Sequence, residues 1–125
     1  MNSILIVDDH SDIRRLIRMT LEFAGHGGKV ADAGDGETGL AMARALRPDV
    51  VITDVMMPGA TSGLSLCQML RSDPAMSGTA IVMISANCRA EVRRAGIEAG
   101  AQAYLVKPFS PLELVKTLEQ LGVSA

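Results

Sequence analysis

Ser3-Ile4-Leu5-Ile6-Val7, broken off by Asp8-Asp9-His10, is the stretch that decides the fold. Four aliphatic residues in a row, with no polar residue between them, describe a strand covered on both faces, as in a parallel sheet flanked by helices. The same kind of run recurs at Val50-Val51-Ile52, at Ala80-Ile81-Val82-Met83-Ile84 and, shorter, at Ala103-Tyr104-Leu105-Val106. Lys29-Val30-Ala31 is a weaker candidate. It follows the turn Gly27-Gly28 and is expected to be a short, atypical strand.

Helical spacing fills the intervals. With Ser11 as N-cap, Ile13, Leu16, Ile17, Leu21 and Ala24 form one stripe, Arg14, Arg15 and Arg18 lie largely on the other side, and Gly25 ends the pattern. Leu40, Ala43 and Leu46 mark a second helix halted by Pro48, and Leu66, Met69 and Leu70 a third halted before Pro74. The fourth, about 88–99, has only Val92, Ala95 and Ala99 as apolar support, so it is expected to be the least firmly held. Ser110-Pro111-Leu112-Glu113 opens the last helix as a capping box with proline at the first helical position, and Leu114, Leu118 and Leu121 give it an apolar side. Strand and helix thus alternate five times. The expected fold is an α/β three-layer sandwich with right-handed crossovers and a parallel five-stranded sheet of order 2-1-3-4-5.

Composition agrees with a single domain over residues 1–125, with 48% hydrophobic and 21% charged residues. A net charge of −2 leaves no basic excess to grip nucleic acid directly. No apolar run approaches the roughly 18 residues of a membrane span, and the first residues lack the charged n-region and cleavage site of a signal peptide. Cys67 and Cys88 form no CxxC pair and read as ordinary thiols, so a cytoplasmic location is expected.

Ligands in open α/β sheets bind beyond the carboxyl ends of the strands, where the strand order reverses. Strand 1 is followed there by Asp8-Asp9-His10, strand 3 runs into Thr53-Asp54, strand 4 ends at Ser85-Ala86 and strand 5 at Lys107-Pro108. Strands 1 and 3 are neighbours in the expected order, so Asp8, Asp9 and Asp54 share one crevice. At about 4 Å and an effective dielectric near 20, each like-charge pair costs on the order of 4 kcal/mol. Lys107 or a divalent cation must offset that repulsion, and an all-oxygen ligand set suits Mg²⁺ or Mn²⁺ better than zinc. Taken alone, Asp8-Asp9 would equally serve as a cap on the first helix. With a hydroxyl and a lysine beside them, the acids suit phosphoryl transfer, with Asp54, central in the sheet, as nucleophile.

Ile4-Leu5-Ile6-Val7-Asp8-Asp9, Asp54-Val55-Met56-Met57-Pro58, Ser85-Ala86 and Lys107-Pro108-Phe109 together resemble the response-regulator receiver domains of two-component signalling. That family has a flavodoxin-like (βα)5 fold with the same strand order, so the order rests on the resemblance as well as on the alternation. The resemblance implies that Asp54 is the phospho-acceptor. It implies that Asp8 and Asp9 organise Mg²⁺, Asp9 directly and Asp8 partly through water, with the backbone carbonyl of Met56 as a further ligand. Ser85 would follow the phosphoryl group, Lys107 would contact it from before a cis Pro108, and Tyr104 would be the switch aromatic. The implied partners are a sensor histidine kinase or histidine phosphotransfer protein as donor. A downstream protein, or a second copy, would bind the surface of helix 4, strand 5 and helix 5. With helix 5 ending near Leu121 and the sequence at Ala125, no output domain is expected. A phosphorelay intermediate and a receiver cut from a longer regulator are the alternatives. Enzymatic activity is limited to the domain's own phosphorylation and dephosphorylation.

The chain departs from the family in the loop Gly59-Ala60-Thr61-Ser62, where Gly63 falls one residue late. This loop is expected to alter the rim of the site. Met56 and Asn87 flank the route by which water would reach the phosphoryl group. Three rival readings are weaker. Gly34-Asp35-Gly36-Glu37-Thr38-Gly39 is a literal GxGxxG, but Asp35 and Glu37 repel a pyrophosphate, and it reads as a turn with Asp35 capping a helix. A flavin-mononucleotide protein would want hydroxyls where Asp8-Asp9-His10 stand. An aspartyl-phosphate phosphatase would want an acid where Met56 stands. His10 reads as surface near the rim and His26 as a turn residue, neither with a visible partner.

Overall fold

A computed structural model describes residues 3–122 apart from 27, 58 and 88. Gly27, Pro58 and Cys88, which entered the sequence reading, lie outside the described residues. Strands β1 (Ser3–Val7), β2 (Lys29–Ala33), β3 (Val50–Asp54), β4 (Ala80–Ser85) and β5 (Ala103–Val106) alternate with helices α1 (Ser11–Phe23), α2 (Gly36–Leu46), α3 (Gly63–Ser72), α4 (Ala90–Glu98) and α5 (Pro111–Gln120). All pairings are parallel and the order is β2-β1-β3-β4-β5, as expected. A short 3₁₀ turn at Pro74–Met76, capped by Asp73, was not foreseen.

Side chains alternate across a strand, so each apolar run feeds two cores. Leu5, Val7, Val51, Ile81 and Met83 meet Ala43 of α2 and Leu66 and Leu70 of α3 on one face. Ile4, Ile6, Val50, Ile52, Val82 and Ile84 meet Ile17 and Leu21 of α1 and Leu114 and Leu118 of α5 on the other. Burying each such side chain contributes about 1.5–3 kcal/mol. This two-sided demand is why the runs carry no polar alternation.

Three local expectations need correcting. β2 is not short: five residues pair with β1 from Ser3–Lys29 to Val7–Ala33. Asp32 interrupts its apolar pattern but is tied to Arg18 Nη2 at 3.4 Å and Arg14 Nε at 3.9 Å. Arg14 and Arg18 are therefore not simply solvated. Ala33 gives its carbonyl to Asp8 N, so alternation turns the carbonyl of Val30 to the free edge, where Arg18 Nη1 donates to it at 3.0 Å. The arginine covers an edge that would otherwise invite another strand. Ser11 is the first helical residue of α1 and not its cap. His10 takes the N-cap position without a side-chain cap bond. His26, expected in a turn, lies just past the turn at residues 24–25 and is buried, at 6% exposure. α5 opens with the expected capping box between Ser110 and Glu113, and Asp35 caps α2 through Thr38 N.

Candidate functional site

The strand alternation that builds the two cores also sorts the functional residues. Ile4 and Ile6 face α1 and α5, and so do Val50, Ile52 and Leu105. Continuing each run by two residues brings Asp8, Asp54 and Lys107 to that same side. Met83 and Tyr104 face α3 and α4, and Ser85 continues on their side.

Lys107 Nζ lies 3.0 Å from Asp8 Oδ2 and 2.9 Å from Asp54 Oδ2, bridging two carboxylates separated by 46 positions in sequence. Asp8 is 1% exposed and Asp54 7%. Burial alone would lower the Lys107 pKa. Hydrogen bonds to Asp54 and Asp8 and the charges of both outweigh it, holding the ammonium above its ordinary value. Asp8 Oδ1 accepts from His10 N at 2.9 Å, and Met56 N donates to Asp54 Oδ1 at 3.3 Å. Arg14 Nη1 donates to the carbonyl of Asp8 at 2.6 Å, anchoring the acidic turn from behind. The Lys107–Pro108 bond is cis, as the resemblance implied.

His10 lies exposed at the rim, as expected, but is not without partners. Its ring Nδ1 lies 3.2 Å from Asp8 Oδ1 and 3.3 Å from Asp9 Oδ1, although the side chain is 60% exposed. Asp9 Oδ1 is nevertheless buried without a hydrogen-bond partner among the described residues. The His10 contact has the distance of an ion pair but is not a hydrogen bond. The ligand atoms of Asp8, Asp9, His10 and Asp54 lie within 4.8 Å of one another. Three carboxylates against one lysine, with one carboxylate oxygen unsatisfied, fit a hard divalent cation such as Mg²⁺. Asp9 and Asp54 would hold it, with Asp8 beside them.

Ser85 is 3% exposed and its Oγ accepts from Asn87 N at 3.0 Å. Tyr104 OH donates to the carbonyl of Asn87 at 2.9 Å. Asn87, read from sequence as a flanking residue, thus joins the hydroxyl to the aromatic. Its side-chain oxygen also accepts from Arg89 N, the residue before α4. Nothing local in the sequence marks this link, because two of the bonds use the Asn87 backbone. His10, Asp54, Met56, Ser85, Asn87 and Lys107 line an open cleft of about 400 Å³.

The late glycine has a clear role. Gly63 N donates to the carbonyl of Val55 at 2.9 Å, and a Cβ there would run into the carbonyl of Asp54. Before Gly63 the loop is held where Glu37 Oε1 accepts from Ala60 N at 2.9 Å and Thr61 N at 3.1 Å. In the GxGxxG stretch Asp35 caps α2, as expected. Gly36 lets the carbonyl and side chain of Thr61 close onto α2.

Comparison with known proteins gives one consistent result. The family described as response regulator receiver domain matches residues 4–119. The DNA-binding response regulator MtrA of Mycobacterium tuberculosis is 41% identical over 112 residues, covering 90% of this chain and 46% of MtrA. The transcriptional regulatory protein ResD of Bacillus subtilis is 39% identical over 118 residues, 94% of this chain and 47% of ResD. The chain therefore spans about half the length of the curated relatives it matches. Among solved structures, the chemotaxis response regulator CheY4 of Vibrio cholerae superposes with a TM-score of 0.88 at 37% identity. That match covers 97% of this chain and 98% of CheY4. Relatives named as DNA-binding lend no support to the expectation that nucleic acid is not a partner. No helix among the described residues is long and apolar enough to cross a membrane.

Proposed function

The chain belongs to the response regulator receiver domain family, whose general function is a phosphorylation switch, and on that premise we propose that Asp54 takes its phosphoryl group from a phospho-histidine donor with Mg²⁺ present. A sensor histidine kinase or a histidine phosphotransfer protein is the donor class. An Asp54 carboxylate oxygen attacks phosphorus, the phosphorus–nitrogen bond breaks, and its electron pair leaves with the donor imidazole, which takes up a proton. The product is an acyl phosphate. When bound, Mg²⁺ supplies charge compensation for the phosphoryl oxygens.

The chain's own residues do the rest. Met56 N and Lys107 Nζ orient the Asp54 carboxylate before attack. Lys107 then moves from Asp54 Oδ2 to a phosphoryl oxygen, leaving one positive charge where charge develops. The Met56 carbonyl would be a further oxygen ligand for Mg²⁺. Ser85 Oγ exchanges the Asn87 amide for a phosphoryl oxygen. That change loosens Asn87 and, through its carbonyl, the hold on Tyr104 and the start of α4. The altered surface of α4, β5 and α5 then binds a downstream protein or a second copy, in the cytoplasm. Catalysis is confined to the domain's own phosphorylation and dephosphorylation.

The observation that carries this reading is the lysine bridge between Asp8 and Asp54 beside the unsatisfied oxygen of Asp9. Acetyl phosphate with Mg²⁺ tests it by intact mass. The wild type is expected to gain one phosphoryl group, and Asp54→Asn or a chelated sample none. A gain retained by Asp54→Asn removes Asp54 from the role. The half-length match to MtrA and ResD favours a second reading of the output, control of transcription through sequence or partners beyond these residues. Intact mass of the protein from its native source tests it.

A further inference from the structure

The loop after Asp54 carries Met56, whose carbonyl the proposed function assigns to Mg²⁺, yet the loop is held from outside the site. Its two ends meet where Gly63 N reaches the carbonyl of Val55. Its middle is held by one carboxylate oxygen of Glu37, which accepts from both Ala60 N and Thr61 N. Thr61 is 6% exposed and rests where Gly36 has no side chain. Asp35 caps the same helix turn and fixes the base from which Glu37 reaches. These contacts fall on the residues that lengthen the loop, and they come from the GxGxxG stretch left without a role in binding.

We infer that Glu37 is a positioning residue for the phosphoryl-transfer site: by gripping Ala60 and Thr61 it fixes the lengthened loop and thereby the Met56 carbonyl that faces the metal. The inference rests on the Mg²⁺-dependent reading of Asp54. Residues outside a metal's ligand set that orient its ligands commonly change affinity on the order of tenfold or more when lost. The two hydrogen bonds, and not the charge, do the work. A side chain that keeps an acceptor at the same reach preserves the function, and one that keeps the charge at shorter reach does not.

Mg²⁺ affinity of the full chain by calorimetric titration tests this. It is compared across wild type, Glu37→Gln and Glu37→Asp, with metal-free thermal unfolding and the exchange of the Ala60 and Thr61 amides followed in parallel. Glu37→Gln is expected to bind Mg²⁺ as the wild type does. Glu37→Asp is expected to bind on the order of tenfold more weakly, with faster exchange at Ala60 and Thr61. Equal weakening in both variants would assign the effect to charge and overturn the inference. A Glu37→Asp variant that loses thermal stability but keeps its affinity would overturn it too. A wild type that binds no Mg²⁺ would strike the parent reading instead.

Discussion

α4 and α5 flank the same strand, on opposite faces, and are held very differently. α5 opens with a reciprocal capping box, and Leu114 and Leu118 are fully buried. α4 opens at Arg89 with no side-chain cap, and its one buried residue is Gly96. The first helix lies on the side of Asp8, Asp54 and Lys107, the second on the side of Ser85 and Tyr104. On the proposed function, the chemistry sits against the firm half of the molecule and the response against the soft half. A carboxylate that must be phosphorylated needs fixed surroundings, whereas a surface that reports the event needs a second arrangement within a few kcal/mol. In this account α5 is the frame of the output surface and α4 its moving part.

The largest effect that would break this contrast is in core packing. Leu118→Ala is expected to cost about 2–5 kcal/mol in urea unfolding, and Val92→Ala, only partly buried on α4, under about 1 kcal/mol. Comparable costs would remove the asymmetry. Lys107, on the firm side, comes next. Lys107→Ala leaves Asp8 and Asp54 facing each other, with an expected loss of about 1–3 kcal/mol in metal-free buffer, discounted from a fully buried pair for its partial exposure. Added Mg²⁺ should restore more stability to the variant than to the wild type, and a loss that Mg²⁺ leaves untouched would contradict the charge balance. Tyr104→Phe removes only the bond to the Asn87 carbonyl and should cost about 1 kcal/mol or less. Amide exchange should quicken in α4 and stay unchanged in α5.

The smallest effect is in the alkaline limb. The folded pKa of Lys107 lies above its ordinary 10.5, so the contribution of its pairs is complete below about that pH. It is lost as the pH rises through the folded value. Wild type should therefore lose stability above pH 10.5 more steeply than Lys107→Ala, by comparison of unfolding midpoints. The Cys67 thiol, pushed up to about 11 by burial, adds an alkaline loss of its own that is common to both proteins.

What the sequence made legible follows the reach of its physical signals. Continuous apolar runs specify a sheet covered on both faces, and the same period-two alternation carries Asp8, Asp54 and Lys107 to one side and Ser85 and Tyr104 to the other. The capping box and the cap at Asp35 are local patterns and are found where they were read. β2 was underestimated because Asp32 breaks its pattern, and its compensation, Arg14 and Arg18, comes from another element. The contacts of Glu37 and Arg14, and the link that Asn87 makes from Ser85 to Tyr104, were missed for the same reason. Each acts on a backbone group distant in sequence or through its own backbone, and no side-chain spacing records that. His10 was read as partnerless because a turn, not a regular element, folds its ring back over the acids it follows.

The most direct test of the account is peptide-resolved hydrogen exchange with Mg²⁺, before and after beryllofluoride, on wild type and Asp54→Asn. The account predicts that in the wild type exchange changes in residues 86–106, across α4 and β5, while α1 and α5 hold, and that Asp54→Asn shows no change. A response spread evenly over the helices, or one that persists in Asp54→Asn, would contradict it.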